Sequence, residues 1–112
     1  MSRGYVPERG DAVWLAFESP AGHEQAGRRP AIVLSPRSYN SKAGLAVMCP
    51  ITSQPKGYPF EVIIPPQLPV EGVVLSDQVW SVDWRARRAT RICGLPETVL
   101  AETSGKLAAL LK

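Results

Sequence analysis

The residues best suited to chemistry lie in one short segment, residues 24–30, with the sequence Glu-Gln-Ala-Gly-Arg-Arg-Pro. Glu24 supplies a carboxylate, Arg28 and Arg29 supply guanidinium groups, and an apolar run with strand character follows directly. Pro30 restricts the residue before it to an extended conformation, so Arg29 is expected at the mouth of a strand. A firmly held arginine beside a carboxylate suits the binding and cleavage of a phosphodiester. The alternative is an ion pair on the surface of a hairpin end.

The composition is that of one small globular domain spanning residues 1–112. The hydrophobic fraction of 45% and the charged fraction of 21% are sufficient for a single packed core. No apolar run approaches the roughly 18 residues that a membrane helix needs. The first residues also lack the apolar stretch of a secretory signal. We therefore expect a cytoplasmic protein without a membrane partner.

The side chains that bind metals are few and scattered along the chain. Cys49 and Cys93 show no Cys-x-x-Cys spacing, and each lies in an apolar stretch where a free cysteine packs as a small hydrophobe. His23 is the single histidine. Because no ligands cluster, we expect neither a metal site nor a cofactor.

The net charge of +3 is unevenly distributed. Residues 37–60 carry +3 and residues 77–94 carry +2, whereas residues 61–76 carry −2. Two basic segments in a small domain can form a patch for a phosphate backbone. The alternative is a solvated charged face, so the charge distribution alone does not assign a nucleic-acid function.

Seven short apolar segments have strand character and are separated by turns rich in Gly, Pro and Ser. They span residues 11–17, 29–35, 45–52, 60–64, 72–76, 78–82 and 89–93. The first is apolar on both faces, which indicates a strand that is buried on both sides or curled inside a small barrel. Pro50 lies within the third, and because proline cannot donate to a ladder, this segment is expected at a sheet edge or a bulge.

Helical signals are confined to two places. Residues 37–44 are interpreted as a polar turn, with one helical turn closed by Gly44. After Pro96, which suits a first helical position, the pattern changes to a helical period. The apolar face of this helix consists of Val99, Leu100, Thr103, Leu107, Leu110 and Leu111. The expected fold is a strongly curled, short-stranded β domain with one C-terminal helix.

Several blocks of residues along the chain form a pattern when taken together. They are Tyr-Val-Pro-Glu-Arg-Gly-Asp at 5–11, the whole of 24–35, Tyr-Asn-x-Lys-x-Gly at 39–44, Pro-x-Thr at 50–52, Lys-Gly-Tyr-Pro-Phe-Glu-Val at 56–62, 72–79 and Asp-Trp-Arg-Ala-Arg at 83–87. In their order and spacing, these blocks resemble the MazF/PemK family of toxin endoribonucleases. The likeness covers the chain to about residue 92 and is looser in the C-terminal helix.

This resemblance implies a mainly β (α+β) fold, a small SH3-like antiparallel barrel of the CcdB/PemK type that forms a homodimer. It also implies the toxin component of a type II toxin–antitoxin system, an mRNA interferase that cleaves single-stranded RNA sequence-specifically and without metal. Attack by the 2′-hydroxyl would leave 2′,3′-cyclic phosphate and 5′-hydroxyl ends. The implied protein partner is a cognate antitoxin whose disordered C-terminal segment covers the RNA groove.

The resemblance also implies catalytic roles for Arg29, Thr52 and Glu24. Arg29 would grip phosphoryl oxygens as their charge develops, unless it only forms an ion pair with Glu24. Thr52 would bond a phosphate oxygen or orient the attacking 2′-hydroxyl, unless it merely caps a strand end. Glu24 would act as the general base or instead orient Arg29.

RNA contacts are expected on both sides of these residues. Lys56 and Gln54 match the RNA-contacting region of the family. Arg28 is expected to contact the RNA backbone, and Phe17 is expected to contact a base or to belong to the core. Trp80 lies where family members vary, so it is a candidate for adjusting base preference or for packing at the dimer interface.

Two further features lie outside the family pattern. His23, in the loop before Arg29, is interpreted as a solvent-facing residue, with a proton shuttle as the alternative. The proline-rich segment 65–69 is a candidate for altering which sequence is cut.

Two other functions compete with RNA cleavage. A gyrase poison of the CcdB type shares the fold, but those toxins end in Trp-Gly-Ile whereas this chain ends in Leu-Leu-Lys. A non-catalytic SH3-like binding module is the other, and it would leave the pairing of Arg29 with Thr52 unexplained.

Overall fold

A computed structural model describes residues 4–17 and 27–112. In this part of the chain, seven strands and two helices follow one another in order. They are β1 (Asp11–Phe17), β2 (Gly27–Val33), α1 (Arg37–Ala43), β3 (Ala46–Thr52), β4 (Glu61–Ile63), β5 (Val73–Leu75), β6 (Trp80–Val82), β7 (Thr90–Gly94) and α2 (Glu97–Leu110). The predicted mainly β fold with a C-terminal helix is therefore confirmed. None of the described helices combines the length and apolarity needed to cross a membrane.

The strands form one antiparallel sheet with the order β4-β5-β3-β2-β1-β7. β5 and β6 lie end to end along the same side of β3, where β6 pairs with Ala46–Met48 and β5 with Ile51–Thr52. Among the described residues, the end strands β4 and β7 do not pair with each other. The sheet is therefore not closed among these residues, and the expected term barrel applies only loosely.

The expectation that Pro50 marks a sheet edge is wrong. β3 is an interior strand, because β2 pairs along one side of it and β5 and β6 along the other. Pro50 lies between the residues paired with β6 and those paired with β5, so the missing N–H falls where β3 changes partner. An interior strand tolerates the proline for this reason.

Alternation along β1, β2 and β3 produces an apolar cluster on each face of the sheet. One cluster, which includes Ala12 and Ile32, packs against Val99 and Leu100 of α2. The other consists of Val13, Leu15, Ala31, Val33, Ala46, Met48, Val82 and Trp84. The prediction that the first strand is buried on both sides is confirmed.

The two cysteines are free, and Cys49 is buried within the first cluster. Burial raises the pKa of the Cys49 thiol to about 11. That thiol is therefore protonated near pH 7 and packs as an apolar side chain.

Helix α1 is longer than the single turn expected and ends, as predicted, at Gly44, whose φ is 72°. Its Asn40 is fully buried. The Asn40 side chain donates to the carbonyls of Pro7 and Ser35 at 2.9 and 3.0 Å, and the Asn40 backbone carbonyl accepts from Trp84 Nε1 at 3.0 Å. These bonds connect the N-terminal arm, α1 and the segment after β6.

Helix α2 begins one residue later than expected, with Pro96 as the N-cap rather than the first helical residue. Its first half buries Val99, Leu100 and Thr103. The last residues of the predicted apolar face are not buried. Leu110 and Leu111 are 57% and 77% exposed. The C-terminal end of α2 thus leaves apolar surface uncovered.

Candidate active site

The pairing of β2 with β3 brings two of the predicted catalytic residues together. Ala31 lies opposite Pro50, and Arg29 and Thr52 each lie two residues beyond this pair, at the adjoining ends of the two strands. Both side chains project from the same face of the sheet because the alternation is kept. Arg29 and Thr52 also line one cavity of about 630 Å³, which we call the Arg29–Thr52 cavity.

The walls of the Arg29–Thr52 cavity come from several loops and strands. Trp14 of β1 and Gln78, between β5 and β6, contribute to it, as do Pro69 and Glu71 from the segment before β5. Pro69 belongs to the proline-rich segment that departs from the family pattern, so that segment reaches the site. Trp14, Gln78 and Glu71 were not among the site residues predicted from the sequence.

Arg29 lies over an aromatic side chain. Its guanidinium carbon is 5.9 Å from the centroid of the Phe17 ring, and that of Arg87 is 4.6 Å from the same centroid. The Phe17 ring also stacks on Trp80 at 6.1 Å and packs against the second apolar cluster. Phe17 is thus a half-buried support that orients two guanidinium groups.

Among the described residues, no acidic side chain forms an ion pair with Arg29, so its charge is available for an anion. In that part of the chain, ion pairs join Arg91 to Asp11 and Lys106 to Glu102, and neither involves Arg29. Glu24 and His23 lie outside the described residues, so the expected roles of both remain predictions. The described part also contains no group of three His, Cys, Asp or Glu side chains placed to hold a metal ion.

The side chains of Arg28 and Arg29 lie on opposite faces of β2. The Arg28 guanidinium carbon lies 4.6 Å from the centroid of the Trp14 ring, whereas Arg29 lies over Phe17. Neighbouring residues of a strand point to opposite faces, so the two arginines cannot grip one group from the same side. Trp14 connects Arg28 to the rim of the cavity.

The Thr52 hydroxyl is set by the turn that follows it. Its Oγ1 accepts the backbone N–H of Gln54 at 3.2 Å. A hydroxyl that accepts in this way keeps its own hydrogen for donation. Thr52, which is half-buried, can therefore donate to an anionic oxygen inside the cavity.

The predicted RNA-contacting residues Gln54 and Lys56 line a second cavity of about 230 Å³, which we call the Lys56 cavity. Thr52, Leu75 and Gln78 line both cavities, so the two cavities adjoin and together are called the cleft. Tyr58, at 52% exposure, is the aromatic surface of this part of the cleft. The structure thus places Gln54 and Lys56 beside Thr52.

A buried carboxylate determines the shape of the loop that carries Lys56. Glu61, only 8% exposed, accepts the backbone N–H groups of Lys56 and Gly57, each at 3.1 Å. The Glu61 carbonyl in turn accepts from Lys106 of α2 at 2.9 Å. The C-terminal helix therefore supports the Lys56 cavity through the hydrogen bond from Lys106 to Glu61.

The position of Thr52 depends on a close approach of two backbones. Gly72 has a φ of 116°, and a Cβ placed there would lie 1.9 Å from the Thr52 carbonyl oxygen. Thr52 also pairs with Val73, the residue after Gly72. Only glycine allows β5 to hold the end of β3 in this place.

Substituting Gly72 with alanine is expected to lower the free energy of unfolding by at least about 2 kcal/mol and to displace Thr52. Urea denaturation measures the first effect, and the amide chemical shift of Thr52 reports the second. Gly105→Ala is the matched control, because a Cβ there meets open space. It is expected to stabilise α2 by about 0.5–1 kcal/mol. Equal effects of the two substitutions would contradict the assigned role of Gly72.

Known proteins are similar in sequence to this chain over most of its length. A family model described as a PemK-like, MazF-like toxin of type II toxin–antitoxin systems matches residues 8–111. The endoribonuclease toxin MazF of Escherichia coli strain K12 is 54% identical over 87 residues, which are 78% of each chain. The endoribonuclease toxin ChpB of the same strain is 37% identical over 113 residues, covering 94% of each chain.

Solved structures share the fold. A MazE–MazF complex from Deinococcus radiodurans contains a chain with 58% identity and a TM-score of 0.92, and 96% of each chain is covered. An endoribonuclease from a mycobacterial species has 18% identity and a TM-score of 0.74, covering 98% of this chain and 95% of that one, which supports the fold alone. The predicted resemblance is confirmed: the chain belongs to the PemK/MazF family of type II toxin–antitoxin endoribonuclease toxins.

Proposed function

We propose that this toxin cleaves single-stranded RNA at selected sequences, without a metal ion, in the cytoplasm. The 2′-hydroxyl attacks the neighbouring phosphorus, and the bond to the 5′-oxygen breaks, which leaves 2′,3′-cyclic phosphate and 5′-hydroxyl ends. The observation that carries this proposal is that Arg29 and Thr52, from two strands that pair with each other, line one cavity. An arginine and a hydroxyl facing each other across two strands can hold a single phosphate between them.

Arg29 stabilises the charge that develops on the phosphate. Attack by the 2′-hydroxyl produces a crowded dianionic phosphorane, and a planar guanidinium can donate to two of its oxygens. Because Phe17 holds Arg29 from one side, its donors are oriented before RNA binds. The interaction strengthens as negative charge grows, which lowers the barrier rather than merely binding substrate.

Thr52 completes the phosphate site from the facing strand. Its hydroxyl hydrogen is free to donate to a non-bridging oxygen while its Oγ1 accepts from Gln54. Removal of the 2′-hydroxyl proton needs a base, and Glu24 is the candidate. The conjugate acid of that base, or water, supplies the proton to the departing 5′-oxygen.

The bases of the RNA lie along the cleft that continues into the Lys56 cavity. Single-stranded RNA is held by stacking on exposed aromatic rings and by polar groups at base edges, and Tyr58 and Gln54 offer these contacts. Lys56 supplies charge for the backbone, and Arg28 does so from the opposite face of β2. The contact of Phe17 with two guanidinium groups supports a positioning role for it beside the predicted base contact.

The direct test is cleavage of an unstructured RNA by purified protein in EDTA. Wild type is expected to cut at a restricted set of sequences, and Arg29→Ala is expected to cut about 10²–10³-fold more slowly. Arg37→Ala is the matched control, because Arg37 is an exposed arginine on α1 outside both cavities. Intact RNA with wild type, or equal rates for wild type and Arg29→Ala, would contradict the mechanism.

A modified substrate in the same assay tests whether the 2′-hydroxyl is the attacking group. A 2′-deoxy nucleotide at the cut site is expected to abolish cleavage, because the attacking oxygen is absent. Cleavage that persists there would exclude 2′-hydroxyl attack, even if Arg29 proved essential.

We also propose that the toxin is a homodimer inhibited by a cognate antitoxin. The antitoxin is supported by the MazE–MazF complex from Deinococcus radiodurans, in which a related chain occurs with its antitoxin. The homodimer is supported by exposed apolar side chains at the end of α2, where Leu107 and Leu111 border a groove of about 300 Å³ with Val47. A second copy of the chain would cover this surface.

Sedimentation equilibrium tests this assembly, and the expected mass is twice 12.2 kDa. Addition of the antitoxin's disordered C-terminal segment as a peptide is expected to slow RNA cleavage competitively, because it occupies the same cleft. A mass of 12.2 kDa would exclude the dimer, and inhibition that more RNA fails to relieve would exclude a shared binding surface.

A further inference from the structure

A third cavity lies away from the Arg29–Thr52 cavity and takes no part in the proposed mechanism. Its volume is about 300 Å³, and it lies between the N-terminal arm at Tyr5 and the turn that carries Trp84, Arg85 and Arg88. Tyr5 and Trp84 belong to or pack against the same apolar cluster as Phe17. We call it the Arg88 cavity.

The turn beside the Arg88 cavity has an excess of positive charge. Its acid, Asp83, accepts the backbone N–H of Ala86 at 3.0 Å. The ion pairs of the described residues involve neither Arg85 nor Arg88. The guanidinium groups of Arg85 and Arg88 are therefore open to an external anion.

The other groups around this cavity favour an anion or are neutral toward it. The Arg85 guanidinium carbon lies 4.5 Å from the centroid of the Trp84 ring, and Trp84 is itself fixed by its hydrogen bond to Asn40. The Tyr5 hydroxyl donates to Asp11, and burial raises the Tyr5 pKa above its ordinary value. Tyr5 is therefore uncharged near pH 7 and does not oppose an anion.

The backbone at Arg88 has a conformation that residues with side chains adopt rarely. Its φ of 54° is in the left-handed region, where glycine is free of strain and a side chain is not. The Arg88 N–H donates to the Arg85 carbonyl at 3.0 Å and closes the turn. Glycine would form the same turn with less strain, so the turn by itself does not require an arginine.

The turn that borders the Arg88 cavity also contacts a residue of the cleavage face. The residue before Arg88, Arg87, lies over the same Phe17 ring as Arg29. Its carbonyl also accepts the backbone N–H of Ala16 at 2.7 Å, which ties the turn to the end of β1. The turn therefore borders Phe17 on the side of Arg87, while Arg29 contacts the same ring.

We propose that Arg88, together with Arg85, forms a subsite for a backbone phosphate of the RNA, at a nucleotide outside the cleaved pair. The inference rests on the proposed function. A guanidinium fork matches a phosphate oxygen pair, and such a contact is independent of sequence. The contact of the neighbouring Arg87 with the same Phe17 ring as Arg29 favours RNA over an acidic segment of a partner protein.

The test is binding of a noncleavable single-stranded RNA, with a 2′-deoxy nucleotide at the cut site, to wild type and Arg88→Gly at several salt concentrations. Arg88→Gly is expected to weaken binding by about threefold to tenfold near 0.1 M salt. The slope of log K against log salt concentration is expected to fall in magnitude by about 0.7, the value for one phosphate contact on a single strand. Its melting temperature is expected to match or exceed that of wild type, because glycine relieves the strain.

Two controls make the result specific. Arg37→Ala removes an exposed arginine elsewhere and is expected to leave the salt slope unchanged. An RNA trimmed of its flanking nucleotides is expected to show a smaller difference between wild type and Arg88→Gly than the longer RNA does.

An Arg88→Gly variant that binds the long RNA with unchanged affinity and slope would overturn the subsite. So would a loss confined to binding of the antitoxin, which would assign the cavity to a protein segment. If wild type fails to cut any RNA in EDTA, the proposed function itself is wrong, and this outcome is distinguishable because the salt slope is measured by binding alone.

Discussion

The antiparallel pairing of β2 with β3 is the constraint on which the rest of the site depends. Its register ends with Ala31 opposite Pro50, two residues before Arg29 and Thr52, and a slip of one residue would turn one of these two side chains to the other face. The buried residues Ala31 and Ile32 in β2, and Met48 in β3, oppose such a slip because each would leave its apolar cluster. Core packing thus determines the geometry of a site that lies at the surface.

Two further contacts, outside the pairing of β2 with β3, also position the residues of the site. Gly72 holds the end of β3 by approaching the Thr52 carbonyl, and Glu61 holds the Lys56 loop through two backbone N–H groups. Neither residue offers a group to RNA in the proposed mechanism. Their contribution is the position of other side chains, which matters because a misplacement of about 1 Å can slow an enzyme by 10²-fold.

Much of the fold could be predicted from the sequence because its strands are short, apolar and punctuated by proline and glycine. The errors have physical causes. Pro50 is tolerated in an interior strand because the ladder changes partner there, and sequence patterns do not show partners. The exposed Leu110 and Leu111 follow a helical period, but a period does not reveal where the core beneath a helix ends.

The candidate site was predictable in part. Arg29 and Thr52 are 23 positions apart, so their pairing could be anticipated only through the family resemblance and not from local residue chemistry. The difference between Arg28 and Arg29 follows from strand alternation once β2 is known. Gln78 was not selected, although it lies in a block that carries the resemblance. The strain at Arg88 has no counterpart in composition or period, because it is a property of the folded backbone.

The central claim is that Arg29 and Thr52 act on one phosphate from facing strands. A double-mutant cycle tests it most directly, using single-turnover cleavage rates of wild type, Arg29→Ala, Thr52→Val and the double variant. The account predicts that each single change slows cleavage and that the double variant loses clearly less than the product of the two losses, since either change spoils the shared site. Losses that multiply without coupling, or a Thr52→Val variant as fast as wild type, would contradict it.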